Sequence, residues 1–206
     1  MTVLRHFRRS VVLAGALAVA VTWATSAQEV SVQKLIERGA LNEAAQRAET
    51  ERENPEATCL VAHAFLRMKD DGRANEVFGR LRESGGEDWK AIGESGATLL
   101  AGDQDGALAA AERAVAANGG NPYTHYQLGT VAFRQNNFQR AAEAFDQSVQ
   151  LKPDLAYAHY YAGMAYQRLK QTAKMSEHLE MFLKLAPNAP ERAMVSSMLR
   201  TLRGDR

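Results

Sequence analysis

The sequence predicts an all-α solenoid of helical hairpins, and three observations predict it. Residues 121–154 and 155–188 repeat one another at an offset of 34, sharing Tyr123/Tyr157, His125/His159, Tyr126/Tyr160, Gly129/Gly163, Arg134/Arg168, Glu143/Glu177, Leu151/Leu185 and Pro153/Pro187. A fixed period of this length marks supersecondary units that bury a continuous core only by stacking. Within each unit the apolar residues recur at i, i+3, i+4 and i+7, the spacing of one helix face, as in His125, Leu128, Gly129 and Ala132. The chain then ends on a segment with a single apolar stripe, as the open end of a stack requires.

Taken in order, residues 1–27 read as a signal peptide. Arg5, Arg8 and Arg9 precede an apolar run from Val11 to Val21, and Thr25-Ser26-Ala27 supplies small residues for cleavage. The run falls short of the roughly 20 apolar residues a membrane-spanning helix needs, so the expected location is exported and periplasmic. An uncleaved inner-membrane anchor is the alternative. The pair Arg8-Arg9 fits a twin-arginine signal poorly, and no cysteine follows the cut to carry a lipid. With 25 basic and 24 acidic residues the formal charge is +1, which gives no electrostatic footprint for nucleic acid. Loss of the three leader arginines leaves 22 basic residues against 24 acidic ones.

Five units of about 28–54, 55–86, 87–120, 121–154 and 155–188 follow, then a capping helix over 189–206. The first is a shortened hairpin, with Val32, Leu35 and Ile36 before Gly39 and Leu41, Ala44, Ala45 and Ala48 after it. The second places Val61, Ala62, Phe65 and Leu66 in one helix and Ala74, Val77, Phe78 and Leu81 in the next. Its lone Cys59 lies in an apolar helix and reads as a small core residue. The third is alanine-rich and thin in its second helix. In the fourth, Pro122 opens a helix to about Arg134, where a missing N–H costs nothing. A second helix runs from Phe138 to Leu151 and stops before Lys152-Pro153. Gly129 and Gly163 sit mid-helix at a cost of roughly 1 kcal/mol. This suggests a close crossing by the second helix, with Ala141 and Ala144 opposite.

The pattern Leu128-Gly129, Phe133, Ala141, Phe145, Val149 and Pro153 resembles the tetratricopeptide repeat (TPR). The next unit matches at Gly163, Tyr166, Leu179, Leu183, Leu185 and Pro187, and departs at Ala162 and Met175. Histidine stands at His125 and His159 where the family favours tryptophan. The resemblance implies a right-handed superhelix whose first helices line a concave groove that holds a peptide or helix of a partner protein.

Residues on those first helices recur at the unit period: Trp89, Tyr123 and Tyr157, and likewise Ile92, Tyr126 and Tyr160. Stacked, they form an aromatic ladder, continued by Phe133, Arg134, Met164, Gln167 and Arg168. Tyrosine, tryptophan and arginine are the side chains that carry interface energy. The expectation is that Tyr126→Ala and Tyr160→Ala weaken a complex while helicity stays intact. The lysines and asparagines of the carboxylate-clamp subset are replaced by Tyr126, Thr130, Tyr160 and Met164, so that specificity is not implied.

No metal, cofactor or catalytic residue is expected. His125 and His159 fall on separate hairpins, too far apart for one ion with bonds of about 2.0–2.1 Å, and His63 and His178 read as isolated. No nucleophile elbow, phosphate-cradling loop or His-Glu-x-x-His motif is present. The reading is a non-catalytic adaptor or assembly factor of the cell envelope with a protein or peptide partner. A structural subunit that forms homo-oligomers through the array is the alternative class, and an enzyme the remote one.

Overall fold

The computed structural model describes residues 30–83 and 85–204 of the chain. The leader expected at 1–27 lies outside the described residues. Eleven helices are described, α1 Val32–Glu37, α2 Leu41–Thr50, α3 Pro55–Arg67, α4 Asp71–Glu83, α5 Glu87–Leu100, α6 Gln104–Ala117, α7 Pro122–Arg134, α8 Phe138–Leu151, α9 Ala156–Arg168, α10 Thr172–Leu185 and α11 Arg192–Arg203. No described helix is long and apolar enough to cross a membrane. The first ten pack as consecutive hairpins, and each hairpin also packs against the next. The odd-numbered helices α1 to α9 touch in sequence and form one wall of the solenoid.

The five hairpin turns share one backbone device. Gly39, Lys69, Gly102, Asn136 and Lys170 all adopt positive φ, between 58° and 85°. In each turn the following N–H reaches back to a carbonyl five residues earlier, as Asn137 does to Ala132 and Gln171 to Tyr166. That is the Schellman closure of a helix C-terminus, which satisfies carbonyls the helix itself leaves bare. An asparagine or aspartate side chain caps the start of five of the described helices. Asn54 accepts from the Ala57 N–H, Asp70 from Arg73, Asp103 from Gly106, Asn121 from Tyr123 and Asn137 from Arg140. Five repeats of one turn mark the period even where the side chains have diverged.

The core runs without a break from Val32 to Leu199. The mid-helix glycines do mark close crossings. A Cβ on Gly129 would lie 2.8 Å from the Phe145 ring, and one on Gly163 would lie 2.6 Å from the Leu179 side chain. The residues facing them are therefore a large ring and a leucine on the second helix, not Ala141 and Ala144 as expected. In the third hairpin Ser95 holds the equivalent place. Its hydroxyl is fully buried, donates to the Ala107 carbonyl and accepts from Gln127 Nε2 on the neighbouring hairpin. The fully buried residues of the thin helix α6 are all alanines, Ala107, Ala110, Ala111 and Ala114, with Leu108 partly buried against the core.

The wall also curls until its beginning meets its end. Gln33 of α1 donates to the Asp154 carbonyl at 2.7 Å, and a Cβ on Gly39 would lie 3.1 Å from Pro190. From α3, Glu56 accepts the Tyr123 hydroxyl at 2.6 Å and lies 3.5 Å from Lys152 Nζ. Also from α3, Arg67 pairs with Glu191 at 3.0 Å and stacks over the Tyr157 ring, 3.6 Å from its centroid. Tyr157 completes this clasp by donating its hydroxyl to Glu191 at 2.9 Å. Arg67 and Glu191 are each less than one-fifth exposed, so the pair is held well away from water, where charge-assisted hydrogen bonds gain strength.

Candidate interaction surface

The aromatic ladder divides into two halves. Ile92, Tyr123, Tyr126 and Tyr157 are buried, none more than 6 % exposed. Their place at the period is right and their expected role is corrected: they belong to the core, because α3 crosses in front of them. His63 of α3 sets its ring edge-on to Tyr126, with centroids 4.4 Å apart, and to Phe78 at 5.5 Å. Burial and the nearby Glu56 push the Tyr123 phenol far above its ordinary range, and burial does the same to Tyr126. The expected effect of Tyr126→Ala on binding alone is corrected with it, since that side chain is sealed in the stack. Trp89 is half-buried, its ring 5.5 Å from Tyr123.

The outer half remains at the surface. Arg134, Gln167 and Arg168 are exposed, and Phe133, Tyr160 and Met164 are half-buried. Phe133 packs edge-on against Phe138 at 5.3 Å, and the Arg168 guanidinium lies 5.2 Å from the same Phe138 ring. Through Tyr161 the cluster continues to Tyr160, with ring centres 6.0 and 5.1 Å apart in turn. Tyr160, Met164 and Arg168 follow at successive turns of α9, so they share one face. Rings at these separations and edge-on angles stabilise one another while leaving their outer edges free. Gln167 belongs elsewhere: it lines an apolar cavity of about 360 Å³ with Tyr166, Met175, Met198 and Leu202, beside the capping helix α11.

Two buried groups behave as the sequence suggests. Cys59 is fully buried and burial raises its thiol far above the range of a reactive thiolate. Burial, reinforced by Arg67, pulls His63 down to about 3, so its ring is neutral near neutral pH. The histidines correct one expectation. His178 is not isolated: its Nδ1 lies 3.1 Å from Nδ1 of His159, and its Nε2 lies 3.1 Å from the Asp146 carboxylate. The spacing of 19 residues between them is no helical period, and only the hairpin turn brings them together. Among the described residues, no set of three His, Cys, Asp or Glu side chains is placed to hold a metal ion.

A wall of first helices, a repeated Schellman turn, glycine or serine at the tight crossings of the third, fourth and fifth hairpins and a closing helix define a class, the helical-hairpin solenoid that presents side chains along one curved face. The family description "Tetratricopeptide repeat" matches residues 128–200. Residues 128–200 are thus tetratricopeptide repeats, and the described chain as a whole has the TPR solenoid fold. Comparison with curated proteins gives no match. Among solved structures, the first TPR of Spaghetti (RPAP3) bound to the HSP90 peptide SRMEEVD is 20 % identical, covering 57 % of this chain and 91 % of that one, with a TM-score of 0.53. The Arabidopsis OM64 TPR domain is 16 % identical over 56 % of this chain and 95 % of that one, also at 0.53. A chain of the APC/C hetero-tetramer Cut9-Hcn1 is 16 % identical over 82 % of this chain and 34 % of that one, at 0.55. At these identities the likeness shows the fold.

Proposed function

We propose that this chain is a non-catalytic interaction module of the cell envelope, an adaptor or assembly factor that holds a peptide or helix of a partner protein. The observation that carries the reading is the outer strip of Phe133, Arg134, Tyr160, Met164 and Arg168, which stays accessible where the inner half of the same ladder has become core. Such a strip offers aromatic area beside two guanidinium groups, the combination that concentrates binding energy at protein interfaces and pairs with acidic side chains in a fork geometry. One structural neighbour is a TPR carrying a peptide with two glutamates and an aspartate, a precedent for what this fold holds. The leader-like residues 1–27 support the envelope location.

The test compares wild type with Phe133→Ala and Arg168→Ala in affinity capture from envelope extracts. Each substitution is expected to weaken the retained partner by about 1–2 kcal/mol with helicity unchanged by circular dichroism. A partner held equally well by both variants removes the strip from the interface. Light scattering coupled to size exclusion separates the oligomeric alternative: a concentration-independent dimer or larger species that Met194 and Leu202 substitutions dissolve would favour a structural subunit, since both side chains are exposed on α11.

A further inference from the structure

The His159–His178 pair presents a problem of proton counting. Three contacts lie in a row. His159 Nε2 is 3.1 Å from the Pro153 carbonyl oxygen, the two Nδ1 atoms are 3.1 Å apart, and His178 Nε2 is 3.1 Å from Asp146 Oδ1. Carbonyl and carboxylate oxygens only accept, so each end of the row needs an N–H from its imidazole. A neutral imidazole carries one N–H. Two neutral rings therefore bring two protons to three contacts, and every neutral arrangement leaves two lone pairs facing each other. Either the Nδ1 atoms repel, or a bare Nε2 meets an oxygen. One added proton satisfies the whole row. A second would set two N–H groups head to head.

The surroundings favour that single added charge. Asp146 is ionised, its carboxyl held below the ordinary range by the His178 and Tyr166 hydrogen bonds against the opposing pull of burial. Its Oδ1 is buried and approached by His178 Nε2 in the ion-pair contact, and no hydrogen bond otherwise satisfies it among the described residues. Tyr166 donates to the other carboxylate oxygen and stacks on His178. The remaining charged groups about the pair are Lys174 and Glu177 of α10, while Glu143 of α8 faces Tyr166. Burial and the neighbouring His178 hold His159 below the ordinary histidine range, as expected of a pair that takes up one proton and resists two.

The geometry also separates a proton from a metal ion. The ring centres are 5.3 Å apart, 2.2 Å more than the nitrogens. The nitrogens thus point at each other along the line of centres, as in an N–H···N bond. Two rings on one ion, with bonds of about 2.0–2.1 Å, would both point at a third position off that line.

We propose that His159 and His178 hold one shared proton between their Nδ1 atoms, and that this proton latches α8, α9 and α10 together at the last repeat joint. The row links α10 to α8 through Asp146 and α9 to the α8–α9 turn through Pro153, so its loss loosens both links at once. The proposal stands independently of the partner strip.

The test is nitrogen-15 and proton NMR of the histidine rings in the full chain, run with a metal chelator and, in parallel, with added zinc. The expected result is protonated Nε2 on both rings, one proton shared by the two Nδ1 atoms, and a single coupled step in which both rings respond together as pH rises. Amide exchange at residues 152–155 should accelerate through the same step. His159→Gln and His178→Gln should each abolish the coupled step, leaving the other ring with an ordinary titration and the turn exchange independent of that step. Two rings that titrate independently in the wild type would overturn the proposal, as would Nδ1 of either ring lacking a shared proton. If either Gln variant unfolds, Asp146→Asn supplies the same readout, and an unchanged coupled step there also overturns it. A stoichiometric zinc complex on both Nδ1 atoms that alone orders the joint would replace the proton with a metal and refute the latch.

Discussion

The two halves of the aromatic ladder began as one pattern and do different work. Tyr123, Tyr126 and Tyr157 recur at the same period as Phe133, Arg134 and Arg168, on the same helices. The inner three are sealed by α3 and tied to it through Glu56, His63 and Arg67. The outer residues sit at the C-terminal halves of α7 and α9, beyond the reach of α3, and keep their exposure. The lesson is that periodicity places a side chain on a wall. Whether that wall is a groove or a core depends on how tightly the solenoid winds.

The comparison breaks most visibly at Tyr126. Tyr126→Ala should cost about 3–5 kcal/mol, the range for emptying a large buried ring, read by chemical denaturation. A cost below about 1 kcal/mol would return this residue to the surface. The next effect is acid lability through His63. Its folded value of about 3 lies below the ordinary histidine value of about 6.5, so the unfolded chain takes up the proton first. The neutral ring's contribution is fully present above about pH 6.5 and is lost as pH falls toward 3, with a slope approaching about 1.4 kcal/mol per pH unit. His63→Leu should flatten the stability profile across that window. Breaking the clasp comes third. Arg67→Ala removes a charge-assisted bond and strands Glu191, a cost of about 1.5–3 kcal/mol, with faster amide exchange in α1 and α11 but not in α8.

At the outer half the effects should be small. Phe133→Ala and Met164→Ala are each expected to cost less than Tyr126→Ala, about 1 kcal/mol, because both side chains are only partly buried. Lys170→Gly should be neutral or stabilising by up to about 1 kcal/mol, since lysine there holds a left-handed backbone that glycine adopts without strain. A loss from Lys170→Gly would mean that the turn depends on the side chain.

How much of this was legible in the sequence follows the same division. The bounds of α7 and α8, the crossing at Gly129 and the buried Cys59 were readable because local periodicity and proline placement set them. The clasp was not readable, since Arg67 and Glu191 are distant in sequence and follow no repeat. The histidine pair escaped for a related reason: His159 and His178 face one another only across a hairpin, at a spacing that belongs to no motif. Lys69 and Lys170 hid the turn device, because lysine gives no hint of positive φ where Gly39, Gly102 and Asn136 do.

Native-state radical footprinting with mass spectrometry tests the division most directly, since it reads side-chain access residue by residue in the folded chain. The account predicts rapid modification of Phe133 and Met164, with Tyr123 and Tyr126 protected until the protein unfolds. Modification of Tyr123 and Tyr126 at the rate of Phe133 would contradict it, and would reopen the inner half of the ladder as a groove.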